Sequence, residues 1–179
     1  MLVKDIMHTE VKTATPDTRI RDVAVVMCLH KISGVPVVDS DNTIIGVLSE
    51  KDILKAMYPD VAEYMQNGRP DFEGLEGQYH DVLNRRVGDL MTSKVFTVSP
   101  EIPVLKAVSI MVVHKIRRIP VAENGKLVGI ISIGDVHKAI FQTSLDAARR
   151  AESHGTDTAG MIGRQPKAEA ARPVGTRTH

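Results

Sequence analysis

The sequence predicts an α/β (α+β) fold: two β-α-β-β-α repeats about a pseudo-twofold axis, with a helical insertion and a flexible C-terminal tail. Three observations carry this expectation. The first is an internal duplication: VKDIM returns as VGDLM, SGVPVVD as RRIPVAE, and IIGVLSEKD as LVGIISIGD. Asp5/Asp89, Met7/Met91, Pro16/Pro100, His30/His114 and Pro36/Pro120 all sit 84 positions apart. After a one-residue deletion in the second copy, Gly46/Gly129, Ser49/Ser132 and Asp52/Asp135 sit 83 apart. A long unit occurring only twice points to two half-domains sharing one core, not to a solenoid. The second observation is apolar spacing that alternates between helical and strand periods. The third is an Asn-Gly turn between two apolar runs.

Each copy is expected to open with a short strand, 11–13 or 95–98, closed by Pro16 or Pro100. A helix follows, with Ile20, Val23, Ala24 and Met27 on one face and Val104, Ala107, Val108 and Met111 in the same slots of the second copy. Asp17 or Thr18 is the expected cap of the first helix, and Pro103 suits the opening turn of the second. β-branched runs at 35–38 and 119–122 come next, followed by the turns Ser40-Asp41-Asn42 and Asn124-Gly125. Third strands at 44–48 and 127–131 lead into second helices that start at Ser49 and Ser132 and run through 53–57 and 136–141.

These elements place the repeats at 1–57 and 87–142. The segment 58–86 differs in character: Asn67-Gly68-Arg69-Pro70 reads as a loop, Gly74 and Gly77 as interruptions, and 61–66 and 78–84 as short helical pieces. Residues 143–179 are expected to form a short helix and then a mobile tail rich in Gly, Thr, Ala, Pro and Arg.

With 179 residues and 42% apolar content, the chain can build a core of Val, Ile, Leu and Met, since aromatic residues make up only 3%. A net charge of +1 gives no global drive toward nucleic acid or membrane. A single cysteine, Cys28, fits a reducing compartment, so the expected location is cytoplasmic. The first seven residues show no long apolar run of a secretory signal or membrane span. Cys28 occupies the Val112 slot of the repeat, so packing is its expected role. His30 and His114 fall at helix ends, where they complement the dipole, and no metal-ligand spacing surrounds them. Phosphate-loop, nucleophile-elbow and dinucleotide glycine motifs do not occur, and no enzyme activity is expected.

The duplicated VKDIM/VGDLM, TATP/TVSP, SGVPVVD/RRIPVAE and SEKD/SIGD elements resemble a tandem pair of CBS domains, the Bateman module, over about residues 1–141. The resemblance implies a stand-alone regulatory module that binds AMP, ADP, ATP or S-adenosylmethionine, with no catalytic cofactor. Partners implied are the adenosine ligand, a second copy in a homodimer, and a regulated protein. Membrane is not expected.

Ser49-x-x-Asp52 and Ser132-x-x-Asp135 stand where a strand runs into a helix. The pattern is a capping box. In the resembled family the same carboxylate can accept hydrogen bonds from vicinal ribose hydroxyls, and the two roles are compatible. Lys51 in the first copy faces Gly134 in the second. Before the middle strand, the second copy offers Arg117, Arg118, Ile119 and Pro120, where the first offers Ser33, Gly34, Val35 and Pro36. Basic residues at these places contact phosphates in the resembled modules; the alternative is solvation or pairing with the acidic insertion. Gly34 permits close backbone approach to a base. Thr13, Ala14 and Thr15, with Thr97, Val98 and Ser99, line the base and ribose side in that family, or else simply end a strand before proline. Two related but unequal clefts are therefore expected. Rival readings are a nucleic-acid-associated regulator using Arg85-Arg86, Arg117-Arg118 and Arg149-Arg150, and a structural adaptor with empty clefts.

Overall fold

The computed structural model describes residues 1–57 and 72–159, and divides into two units, Met1–Ala139 and Ile140–His179. In the first unit a 3-10 turn at Val3–Asp5 precedes α1 (Ile20–His30), β1 (Gly34–Val38), β2 (Ile44–Ser49) and α2 (Glu50–Lys55). Then come α3 (Phe72–Asn84), α4 (Val87–Leu90), α5 (Val104–Val113), β3 (Arg118–Glu123) and β4 (Lys126–Ser132). The last element, α6, spans Ile133–Ala159. Each repeat thus holds one antiparallel hairpin flanked by helices.

The hairpins follow from strand and turn chemistry. Asn124 and Gly125 both take positive φ, at 53° and 81°, the two-residue turn whose twist matches the strands it joins. In the other hairpin Asn42 adopts φ 63°, and the Asp39 carboxylate accepts from the amides of Asp41 and Thr43 at 2.9 and 2.8 Å. Helix α1 buries Ile20, Val23 and Met27, and α5 buries Val104, Ala107 and Met111, the slots that the 3.6-residue period marks. A lysine in the left-handed region follows each helix, Lys31 as the cap of α1 and Lys115 one residue beyond the His114 cap of α5. The amides of Ile32 and Ile116 then reach back to the carbonyls of Met27 and Met111 at 3.0 and 2.9 Å, satisfying otherwise orphaned acceptors.

Several expectations are corrected. The segments 11–13 and 95–98 are not strands. Each touches its hairpin through one parallel bridge, Ala14 to Val37 and Val98 to Val121, because the chain turns away ahead of Pro16 and Pro100. Neither Asp17 nor Thr18 caps α1. The cap is Arg19, because the Thr18 hydroxyl is held by Thr15 and the Asp17 carboxylate by Arg86 at 3.0 Å. Pro103 is the cap residue of α5 and lies just outside its first turn. Gly74 and Gly77 do not interrupt α3, which buries Val82 and packs Tyr79 and Leu83 against the core. The piece expected at 61–66 lies outside the described residues. Cys28 is exposed, as is its counterpart Val112, since both face outward beside Val25, Leu29 and Val113. The final helix continues unbroken to Ala159, well past 142, carried by a run of helix formers such as Ala147, Ala148, Arg149 and Arg150. From Ile140 to Ala151 its side chains are exposed. Residues 160–179, the rest of the expected tail, are not among those described.

The halves of the core do not coincide with the sequence repeats. Val3, Ile6 and Met7 pack with Val104, Met111, Ile119 and Ile131 of the second repeat. Val87, Leu90 and Met91 pack with Ile20, Met27, Val35 and Leu48 of the first. Backbone pairs fix this exchange: His8 with Ile130, both bonds at 2.9 Å, and Thr92 with Val47 at 2.9 and 3.0 Å. The glycines inside β2 and β4 make room for the crossing segments. A Cβ on Gly46 would meet Met91 Sδ at 2.7 Å, and one on Gly129 would meet Met7 Sδ at 2.8 Å and the His8 carbonyl at 3.0 Å. A thioether can swing aside, whereas a backbone carbonyl in a two-bond pair cannot. Gly129→Ala is therefore expected to cost about 1–3 kcal/mol in urea unfolding and more than Gly46→Ala. Equal losses would contradict this account.

Candidate functional site

Each strand-to-helix junction builds the same small carboxylate device. Ser49 keeps extended dihedrals (φ −120°, ψ 161°) and caps α2 through its Oγ, which accepts from the Asp52 amide at 3.3 Å. Asp52 Oδ2 in turn accepts from the Ser49 amide at 2.8 Å and from the Ser49 hydroxyl at 2.5 Å. Ser132 and Asp135 repeat the arrangement at the start of α6, with 2.9 and 2.5 Å to Oδ2 and 3.2 Å back to the hydroxyl. The capping box consumes only Oδ2. The remaining oxygen, Oδ1, takes no part in the box, and both carboxylates are part-buried.

Two clefts open beside these devices, and each is assembled from both repeats. The Asp52 cleft, about 560 Å³, joins Ser49, Lys51 and Asp52 to Thr92, Lys94 and Phe96 of the crossing segment and to His114, Arg117 and Arg118. Ser33, Gly34, Val35, Pro36 and Pro120 complete the expected residues along its wall. The Asp135 cleft, about 710 Å³, joins Ser132 and Asp135 to His8, Glu10, Lys12 and His30. Gly34, Pro36, Ile130 and Arg118 line both clefts. Both volumes fall in the range of small-molecule sites.

The clefts differ in charge and surface. Five cations (Lys51, Lys94, Lys115, Arg117 and Arg118) face two acids, Glu50 and Asp52, in the first. In the second, Lys12 and Arg118 are matched by Glu10 and Asp135. The first also has an aromatic wall, Phe96 stacked on His114 with ring centroids 3.6 Å apart and 19° between planes. The corresponding residues of the second cleft are Lys12 and His30. Arg118 donates from Nη1 to the Ser33 hydroxyl across the repeat boundary.

The carboxylates differ too. Asp135 Oδ1 lies 3.2 Å from His8 Nε2, whereas Asp52 Oδ1 has no hydrogen-bond partner among the described residues. Burial pushes the Asp135 carboxyl up, but the Ser132 hydroxyl, His8 and the Ser132 amide outweigh it and leave it below the usual value.

Of the residues expected from the sequence, Thr13, Ala14, Thr15, Thr97, Val98 and Ser99 lie outside both clefts. Ala14 and Val98 are buried in the two cores, and the Thr15 hydroxyl is held by Thr18. Ile119 is fully buried behind the wall. The segments that do line the clefts, 7–12 and 92–96, lie a few residues earlier in each copy. The signal was present in the sequence as the polar residues directly after Met7 and Met91.

Comparison with known proteins agrees with this architecture. The family model described as CBS domain matches residues 3–59 and again 87–142. An uncharacterized protein of Methanocaldococcus jannaschii is 30% identical over 155 residues, covering 79% of this chain and 92% of that protein. The crystal structure of CBSX2 in complex with AMP, a CBS-pair protein from Arabidopsis thaliana, is similar with a TM-score of 0.62 and 27% identity. That match covers 80% of this chain and 98% of the other. The CBS domain pair of MJ0100, solved with 5-methylthioadenosine and S-adenosyl-L-methionine, matches with a TM-score of 0.60 and 25% identity over 78% and 99% of the two chains.

The lowered Asp135 carboxyl has a definite sign in a stability profile. Its contribution is complete above the ordinary carboxylate range near about pH 4 and is lost as acid titrates the folded-state group. Thermal melts of Asp135→Asn are expected to lose less stability between neutral and acid pH than the parent does. Parallel profiles would contradict the assignment.

Proposed function

This chain belongs to the CBS-domain family as a tandem pair, and from that premise we propose that it is a non-enzymatic regulatory module that binds a phosphorylated adenosine ligand (AMP, ADP or ATP) in the Asp52 cleft. The observation that carries this reading is the pairing of an unengaged carboxylate oxygen, Asp52 Oδ1, with five cations in one cleft of suitable size. Vicinal ribose hydroxyls would donate to that oxygen, and phosphate would meet Arg117 and Arg118, whose planar donors suit bidentate contact. Phe96 and His114 offer a flat surface for the base. The charge-balanced Asp135 cleft suits a weaker or uncharged ligand of the same class, and S-adenosylmethionine is a candidate there. The AMP complex of CBSX2 and the S-adenosyl-L-methionine complex of MJ0100 support this ligand class.

A ligand in the Asp52 cleft touches Ser49 and Asp52 from the first repeat and Arg117 and Arg118 from the second, so its binding energy biases the orientation of the repeats. In this reading the module comprises 1–57 and 87–142, with 58–86 as connector, and acts in the cytoplasm on a separate protein or on its own assembly. Helices α1 and α5 expose Val25, Leu29, Leu105, Val112 and Val113, all more than half accessible, which supports a homodimer seated on these faces.

Calorimetric titration tests the ligand assignment. AMP or ATP is expected to bind the parent protein, and Asp52→Ala to weaken that binding about tenfold or more, the loss of a charge-assisted hydrogen-bond pair. Arg117→Ala with Arg118→Ala should weaken AMP more than unphosphorylated adenosine. Silence with every adenosine ligand would remove the proposal. Sedimentation tests the assembly: Leu29→Glu with Val113→Glu should convert a dimer to monomer, and a monomeric parent would refute that part.

A further inference from the structure

The two carboxylate devices are alike in every hydrogen bond to Oδ2 and differ at Oδ1. From this difference we infer that His8 is a specificity-determining residue that occupies the ligand-facing oxygen of Asp135 and so sets which cleft fills first. The inference rests on the proposed adenosine-ligand function.

The crossing segment that follows Met7 is held by the two backbone bonds between His8 and Ile130, which leaves the His8 side chain no choice of register. Its ring projects into the Asp135 cleft, 66% accessible, while Asp135 is 21% accessible, so the contact sits at the mouth over a partly buried acid. In the other cleft the same backbone position is Thr92, paired with Val47 in the same way, and it makes no hydrogen bond to Asp52 among the described residues. A ligand whose hydroxyls need the carboxylate must therefore displace an imidazole at Asp135 and nothing at Asp52. The displacement costs most when the ring is protonated, because the contact is then a charge-assisted hydrogen bond. Other charged or titratable groups lining the cleft around His8 are Glu10 and Lys12 on its own segment, His30 from α1, Arg118 from β3, and Asp135 itself from α6.

The test is calorimetry with AMP on the parent, on His8→Thr, and on both in an Asp52→Ala background that leaves only the Asp135 cleft. His8→Thr is expected to tighten binding in the Asp52→Ala background about tenfold, one charge-assisted contact no longer displaced. Affinity at the Asp52 cleft should be unchanged. Unchanged or weaker binding when His8→Thr is added to Asp52→Ala, while the parent binds AMP, overturns the role of His8 alone. No binding in Asp52→Ala, with binding recovered when His8→Thr is added to it, supports it. No binding in any variant overturns both this role and the proposed function.

Discussion

Two methionines seated on two glycines organise this molecule. Met7 leaves the first repeat to lie on Gly129 of the second, and Met91 leaves the second to lie on Gly46 of the first. Each crossing is locked by a pair of backbone hydrogen bonds to the neighbouring strand, His8 with Ile130 and Thr92 with Val47. The absence of a β-carbon at the glycines lets the thioethers approach within what would otherwise be a clash. The exchange buries Val3 and Val87 completely, each in the core of the opposite repeat. Neither repeat has a complete core without the other's leading segment.

The same exchange creates the clefts. Once the crossing chain is pinned to the strand that leads into Ser49 or Ser132, the residues after it are delivered to the carboxylate at the helix start. The capping box then serves two ends at once. It closes the helix through Oδ2 and presents Oδ1 at the mouth, so a structural requirement of α2 and α6 positions the group with which a ligand would engage. Symmetry is broken by a few side chains: Arg118 against Gly34, Phe96 against Lys12, Thr92 against His8.

Much of this was legible in the sequence because the duplication made every signal appear twice. The spacing of Ile20, Val23 and Met27 against Val104, Ala107 and Met111 marked both buried helix faces, and Asn124-Gly125 marked the tight hairpin. The Ser-x-x-Asp pairs, Arg117 and Arg118 could be singled out from their place at strand ends. The exchange itself could not, because Asp5-Ile6-Met7 reads identically whether it docks on its own repeat or on the other. That choice is a tertiary one, and it moved the cleft walls from 13–15 and 97–99 to 7–12 and 92–96. The full length of the last helix was masked for another reason. Between Leu145 and Ala159 the sequence holds no large apolar residue to mark a helical period, and the helix formers there are a weaker signal.

The crossing has a consequence for how the chain acquires its structure. Leu2 pairs with Pro103 and His8 with Ile130, partners separated by 101 and 122 positions. Contacts of such separation carry a loop-closure cost that local helices and hairpins do not, and they slow folding accordingly. During synthesis residues 1–7 emerge well before β4, yet their binding surface does not exist until β4 has been made. Residues 2–8 therefore cannot be seated before β4 is made, and the Asp135 cleft, which needs His8 in place, waits on the same step.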